Sequence, residues 1–198
     1  METIQNTTPV MIYTESTPNP NTLKFVINRA LYPNDFAEFE FLEETENAPL
    51  AKALFSIEQV KYVYISNNFV SISKDDFTDW YELMPKIKSF LKNYIENGQP
   101  IIKENYIKPQ KTATNTIFDN DSDIEIKIKT ALDKYVRPAV EMDGGNITFV
   151  SFINGVLTVQ LQGSCNGCPS STVTLKQGIE NIMKKFIPEV QEVVAENG

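Results

Sequence analysis

The sequence predicts an α+β protein of two small domains joined by a flexible linker. Each half combines short β-prone runs with stretches of helical periodicity, and a polar segment with prolines separates the halves. A chain of 198 residues is long enough for two such domains. The hydrophobic content of 41% is typical of folded proteins. The predicted domains are residues 1–98 and 123–198, with 99–122 as the linker.

The linker is predicted from its length and composition. It carries Pro100, Pro109 and the polar run Gln110–Thr116. A stretch this long without periodicity is uncommon inside a compact domain. As a flexible coil it would have a root-mean-square reach of roughly 25–30 Å. Three isoleucines indicate that its first part packs on the preceding domain: Ile101, Ile102 and Ile107.

The strands of the N-terminal half are short. Val10–Tyr13 and Thr22–Ile27 are β-prone. Lys61–Ser66 and Phe69–Ser73 alternate on either side of Asn67-Asn68, and asparagine tolerates the positive φ of a tight hairpin. These patterns predict a mixed α/β unit.

Helices complete the N-terminal half. Leu50–Phe55 predicts a short helix, and a longer one runs from an Asp79 cap to about Asn97, where Gly98 ends it. Residues 1–98 contain 8 basic and 14 acidic residues, a net charge of −6. The acidic run Glu38–Glu46 is interpreted as solvated surface. This half shows no catalytic constellation.

The C-terminal half predicts helix, hairpin, helix and strand. Apolar residues recur every three or four positions from Ile124 to Ala139, and Pro138 should break that helix. Asn154-Gly155 is a strong hairpin signal between the strands 147–153 and 156–162. A second helical stripe ends at Phe186, and the run 190–194 can add an edge strand.

Charge and cysteine content narrow the function. The net charge of −8 disfavours nucleic acid and anionic lipid as partners. No apolar run approaches the roughly 20 residues that span a bilayer. Met1–Val10 has neither the basic start nor the apolar stretch of a secretory signal. Two cysteines without such a signal favour metal or redox chemistry in a reducing compartment, which is expected to be the cytoplasm.

The only cysteines, Cys165 and Cys168, form a C-x-x-C motif between the second hairpin strand and the following helix. Gly163 and Gly167 allow positive φ there, and Pro169 suits the first position of a helix. The positive end of a helix dipole favours the thiolate, which is the form that binds metal. The segment is therefore expected to present two anionic sulfurs.

Several functions fit two thiolates in a chain without histidine. An inert pair is the least favoured. A thioredoxin-like dithiol also places C-x-x-C between a strand and a helix, although usually after the first strand of a βαβ unit. Zinc and [4Fe–4S] centres each take four such ligands, so either would have to be shared by two chains. The ligand count alone leaves zinc and iron–sulfur tied.

The sequence around the motif resembles the NifU-like domain of the Nfu iron–sulfur carriers. The matching stretches are Val136–Pro138, Asp143–Ile147, Leu161–Glu180 and Ile187–Val190. The N-terminal half is similar to the Nfu N-terminal domain, through Thr17–Phe25, Pro49–Phe55, Val60–Lys74 and Asp79-Trp80. Asn146 stands where the family more often has Asp, away from the cysteines.

This resemblance implies a carrier and not an enzyme. In the family, two chains share one [4Fe–4S] cluster through their C-x-x-C pairs and pass it to recipient apoproteins. The implied ligands here are Cys165 and Cys168. The implied partners are a second copy of the chain when the cluster is bound, recipient apo iron–sulfur proteins and an upstream scaffold. The N-terminal domain would recognise partners.

Overall fold

Two sheets of unequal size organise the chain, which a computed structural model describes over residues 8–107, 115–164 and 169–197. The fold is α+β with two domains, as predicted. None of the helices that the structure describes is both long enough and apolar enough to span a bilayer.

The N-terminal domain is a five-stranded antiparallel sheet in the order β1-β2-β5-β4-β3. Its strands are β1 (Ile12–Ser16), β2 (Thr22–Ile27), β3 (Tyr32–Phe39), β4 (Val60–Asn67) and β5 (Phe69–Lys74). Its helices are a 3₁₀ turn (Leu42–Thr45), α1 (Pro49–Leu54) and α2 (Trp80–Glu96). Leucines of α1 and α2 pack on one face of the sheet to form the main core.

Local signals in this domain are confirmed. Asn67 adopts a φ of 41° at the turn between β4 and β5. The Asp79 carboxylate accepts a hydrogen bond from the Tyr81 N–H at 2.8 Å and caps α2. Gly98 ends the helix with a φ of 64°. Turn and cap chemistry is short-range, so sequence spacing is enough to predict it.

Strand β3 was missed by the sequence analysis. Pro33 and Asp35 interrupt its alternation, and its register against β4 shifts between Tyr32 and Phe36. Such a bulge removes the strict two-residue period on which strand prediction depends. Its formation places part of the acidic run inside a sheet.

The second face of the N-terminal sheet is also buried. It carries Val26, Tyr62, Tyr64 and Phe69, which cluster with Phe36. Tyr64 is 1% exposed although α1 and α2 pack on the opposite face. The C-terminal domain covers this second face. Lys24, Tyr62 and Ser71 of the face form hydrogen bonds with backbone groups of residues 141–144 and 163 in the C-terminal domain.

The C-terminal domain has the predicted order of elements around a three-stranded sheet, β6-β7-β8. Its strands are β6 (Gly145–Ile153), β7 (Val156–Gly163) and β8 (Glu192–Asn197), with β7 antiparallel to β6 and parallel to β8. Its helices are α3 (Asp123–Ala131), a π-helical turn (Leu132–Val136), α4 (Arg137–Met142) and α5 (Pro169–Phe186). The predicted hairpin is confirmed by φ values of 51° at Asn154 and 83° at Gly155.

Pro138 breaks the first helix of this domain, as predicted. It has no N–H to donate to the carbonyl four residues earlier. The backbone forms the π-helical turn just before it and restarts as α4 at Arg137. Such π turns often accompany functional positions, and α4 leads directly to Gly144 and Gly145.

The described parts of the predicted linker contact the two domains. Ile101 and Ile102 pack on the N-terminal core, whereas Ile107 is 85% exposed. Asn115 is buried against the C-terminal domain. Residues 108–114 lie outside the described residues, and the boundaries 99–122 stay a prediction.

Asn115 covers the free edge of β6. Its side-chain oxygen accepts from the Phe149 N–H at 2.6 Å, and its amide donates to Asp133 at 2.5 Å and to the Ile147 carbonyl at 3.3 Å. The side chain therefore satisfies backbone groups that a neighbouring strand would otherwise pair.

Replacing Asn115 with alanine should destabilise the C-terminal domain. The buried Phe149 N–H would lose its partner, which typically costs about 1–3 kcal/mol. Urea unfolding followed by circular dichroism would measure this, while fluorescence of Trp80, the only tryptophan, reports the N-terminal domain. Asn120→Ala, at an exposed site, is the matched control and should be nearly neutral. Equal unfolding curves for the two variants would contradict the assignment.

Candidate functional site

The predicted ligands Cys165 and Cys168 fall in residues 165–168, which lie outside the described residues. The structure describes both ends of this segment. Strand β7 ends at Gly163, and α5 begins at Pro169, the predicted first helical position. The cysteine segment therefore connects a strand end to a helix start. We call the residues that support it, 141–145 and 163–164, the loop base.

Two glycines meet at the loop base. Gly163 pairs with Gly145 across β6 and β7 and has a φ of 71°. A Cβ at Gly163 would lie 2.6 Å from both the Gly144 carbonyl oxygen and the Gly145 Cα. Both atoms belong to the backbone, so no side chain can turn away to make room. This approach requires glycine at 163.

Ser164, which directly precedes the cysteine segment, is held by hydrogen bonds within the loop base. Its N–H donates to the Gly144 carbonyl at 3.2 Å, and its hydroxyl donates to the Asp143 carbonyl. Gly144 itself has a φ of 82°. The Asp143-Gly144-Gly145 turn thus holds the residue next to Cys165.

The N-terminal domain contacts the same atoms. The Tyr62 hydroxyl accepts from the Gly163 N–H at 2.9 Å and donates to the Glu38 carboxylate at 2.6 Å. The Ser71 hydroxyl donates to the Gly144 carbonyl at 2.7 Å. The Lys24 ammonium donates to the carbonyls of Glu141 and Met142 at 2.9 and 3.1 Å. Three side chains of the second sheet face thus bond to the backbone of the loop base.

Burial changes the titration of the groups at this contact. It raises the pKa of Glu38, although hydrogen bonds from Tyr62 and the Gly163 backbone oppose the shift. Burial and then the neighbouring Glu38 charge raise the pKa of Tyr62 well above its usual value. Tyr62 is therefore a neutral hydroxyl at physiological pH and can donate to Glu38. Burial also raises the pKa of Glu141 and of Asp143.

Glu38 corrects the interpretation of the acidic run. The interpretation as solvated surface is confirmed for Glu40, Glu43, Glu44 and Glu46, which are exposed. It is wrong for Glu38, which lies in β3 and bonds to buried Tyr62. Phe36 and Glu38 lie on one face of β3 and Phe39 on the other. This pattern could indicate the position of Glu38 only once β3 is recognised as a strand.

The donor chemistry limits what the site can hold. The 198 residues contain two cysteines and no histidine. Among the residues that the structure describes, no three histidine, cysteine, aspartate or glutamate side chains converge as a metal site. A four-thiolate centre fits this donor set only if two chains each supply a pair.

Comparison with known proteins matches both halves. A family model described as "Scaffold protein Nfu/NifU N terminal" matches residues 12–98, and one described as "NifU-like domain" matches residues 128–194. The fold and its one C-x-x-C segment define the class, a two-domain α+β protein with a single thiol pair. Within that class, the chain belongs to the Nfu family of NifU-like proteins.

Curated relatives align over most of the chain. The Drosophila persimilis protein named "NFU1 iron-sulfur cluster scaffold homolog, mitochondrial" is 37% identical over 185 residues, covering 93% of this chain and 64% of the relative. A NifU-like protein of Schizosaccharomyces pombe is 36% identical over 190 residues, covering 93% and 72%. The chain thus spans less than two thirds of the Drosophila relative. A solution structure of a NifU-like protein from Saccharomyces cerevisiae is 24% identical with a TM-score of 0.47, over 53% of this chain and 95% of that one.

The expected cytoplasmic location is wrong. The Drosophila persimilis and Drosophila willistoni relatives are both named mitochondrial. The expectation rested on two thiols and on the composition of the first ten residues. Thiols fit any reducing compartment and do not separate one from another.

Replacing Gly163 with alanine should destabilise the C-terminal domain, because a Cβ there meets two backbone atoms and the φ is positive. A strained backbone of this kind costs about 1–3 kcal/mol before the clash is counted. Gly178→Ala is the matched control, since nothing lies within 4 Å of its Cβ position in α5. That variant should gain about 0.5–1 kcal/mol of helix stability. Urea unfolding by circular dichroism measures both, and a stable Gly163→Ala protein would contradict the close approach.

The Glu38 contribution to stability should fall as pH rises. Its folded-state pKa lies above the usual 4.5, so the folded chain keeps a proton that the unfolded chain has released. The contribution is complete below pH 4.5 and is lost as pH rises through the raised pKa. The free energy of unfolding of the wild type relative to Glu38→Gln, from Trp80 fluorescence in urea, should therefore decrease from pH 4.5 upward. The titratable neighbours that face Glu38, Tyr62 and Glu40, are present in both proteins. A difference that rises with pH would reverse the assigned sign.

Proposed function

We propose that this chain is an iron–sulfur cluster carrier that binds one [4Fe–4S] cluster between two copies through Cys165 and Cys168. The observation that carries the proposal is the donor set: one C-x-x-C pair and no histidine in the whole sequence. The names of the curated relatives support iron over zinc, since they describe iron–sulfur cluster scaffolds.

The ends of the cysteine segment favour thiolate ligands. The first N–H groups of an α-helix have no intrahelical acceptor, and the helix dipole places positive charge there. Cys168 directly precedes Pro169, where α5 begins. Lowering a thiol pKa in such a position makes the metal-binding form available at neutral pH.

Shared ligation makes binding of the cluster reversible. Each copy supplies half of the thiolates, so retention of the cluster depends on dimerisation and on protein concentration. A recipient apo iron–sulfur protein with better-placed thiolates can replace first one pair and then the other. This ligand exchange needs no general acid or base, so the chain has no enzymatic turnover in this proposal. An upstream scaffold would supply the cluster, which is cargo and not a resident cofactor.

The domains divide these tasks. The proposed boundaries are residues 1–98 for recognition of partners, 99–122 for the linker and 123–198 for cluster binding. The N-terminal domain contains no cysteine and carries a net charge of −6, which favours basic surfaces on its partners.

Anaerobic reconstitution with iron and sulfide tests the proposal. The wild type should take up about two irons per chain and form a dimer, because one four-iron core is divided between two chains. Cys165→Ser and Cys168→Ser should each abolish uptake while circular dichroism stays unchanged. Ser151→Ala, on β6, is the control and should load normally.

Other results would identify another function. A complete cluster in either cysteine variant, or in an isolated single chain without added thiol, would contradict shared ligation. A dimer that takes up zinc but no iron would indicate a structural zinc centre. Reduction of insulin disulfides by the pure protein would indicate a dithiol oxidoreductase.

A further inference from the structure

One backbone carbonyl group accepts hydrogen bonds both from the N-terminal domain and from the residue that precedes the cysteine segment. The Gly144 oxygen accepts both the N–H of Ser164, which directly precedes the cysteine segment, and the Ser71 hydroxyl of the N-terminal domain. Tyr62 holds the Gly163 N–H, two residues before Cys165. A change in the position of Ser164 therefore also changes the acceptor geometry of Ser71. Docking of the domain and the conformation of the cysteine segment are linked through these bonds.

The contact between the domains combines the aromatic cluster of the second sheet face with hydrogen bonds from Lys24, Tyr62 and Ser71, and it is incompletely packed. A cavity of about 560 Å³ lies between them, lined by residues of both domains that include Asp35, Tyr64, Arg137 and Thr148. The Thr148 hydroxyl and the Arg137 Nε are buried, and neither has a hydrogen-bond partner among the residues that the structure describes. Interfaces within a chain that are not large and hydrophobic commonly allow the domains to separate. The docked arrangement is thus one that can be released.

Charge opposes docking once the cysteines carry a cluster. Four thiolates outweigh the positive charge of a [4Fe–4S] core, so the bound centre is an anion. The docked domain places the Glu38 carboxyl next to Gly163, and two residues of chain span at most about 7 Å. Glu38 is half-buried, and partly buried charges are screened by salt much less than exposed ones. The Lys24 ammonium, which contacts the loop base, is already paired with the Glu15 carboxylate at 3.1 Å, so part of its charge is neutralised.

We propose that the N-terminal domain docks on the loop base while the cysteine pair carries no cluster, and that uptake of the cluster releases it. This inference rests on the proposed function. By linkage, a change that weakens docking strengthens cluster binding by the same factor. The domain that recognises partners thus becomes available when there is cargo to deliver, and it protects the loop base when there is none.

Tyr62→Phe in the full chain tests the linkage. Removing the hydroxyl leaves the Gly163 N–H and Glu38 without their partner only in the docked state, since water replaces it after release. In small-angle X-ray scattering, the cluster-free variant should have a larger radius of gyration than the wild type. The concentration of iron and sulfide for half-maximal loading should fall about tenfold. Tyr81→Phe removes a hydroxyl from an 84% exposed tyrosine in α2 and should match the wild type in both measurements.

Ser71→Ala, which removes a single donor, gives a second test if Tyr62→Phe does not fold. It should change both measurements in the same direction. Unchanged loading, or weaker loading, in a folded variant with an increased radius of gyration would overturn the inference while the proposed function stands. A wild type that takes up no cluster would instead overturn the proposed function, and the linkage with it.

Discussion

The carbonyl oxygen of Gly144 connects the two domains of this protein through hydrogen bonds. It accepts a hydrogen bond from Ser164, which directly precedes the cysteine segment, and another from Ser71, in the central strand β5 of the N-terminal sheet. Gly144 has a positive φ, and the Gly163 backbone approaches its carbonyl closely. A side chain at position 163 would push the backbone there away from the backbone of Gly144 and Gly145. The loop base is therefore the fixed point from which the cysteine segment starts and on which the N-terminal domain rests.

That arrangement suits a carrier more than a permanent cluster protein. A single chain offers one thiol pair, so a four-thiolate centre needs a second copy, and its stability depends on concentration. In the proposed linkage, the docked domain adds a competing interaction at the same loop base, with half-buried Glu38 close to the bound anion. In the proposed function, ligation and dimerisation hold the cluster, and docking of the N-terminal domain competes with them. The cluster is then held weakly enough for a recipient to remove it.

Short-range features could be predicted from the sequence, and contacts between distant segments could not. The Asn67 turn, the Asp79 cap, the break at Pro138 and the order of elements in the C-terminal domain follow from local chemistry and periodicity. Counting donors predicted the thiol pair as metal ligands, and that role stays a prediction. Strand β3 was missed because a bulge hides its two-residue period, and the partial burial of Glu38 was missed with it. The roles of Tyr62 and Ser71 depend on the burial of both faces of the N-terminal sheet. The sequences of β4 and β5 alone do not reveal this, because they resemble those of ordinary core strands.

Hydrogen exchange at the Gly163 amide tests the central claim most directly, because that N–H of the C-terminal domain donates to a side chain of the N-terminal domain. Measured by nuclear magnetic resonance on the full chain without a cluster, its exchange should be slow. After anaerobic loading, the same amide should exchange faster, while amides in the middle of β7 stay protected. Fast exchange before loading would contradict docking, and equal protection before and after loading would contradict release.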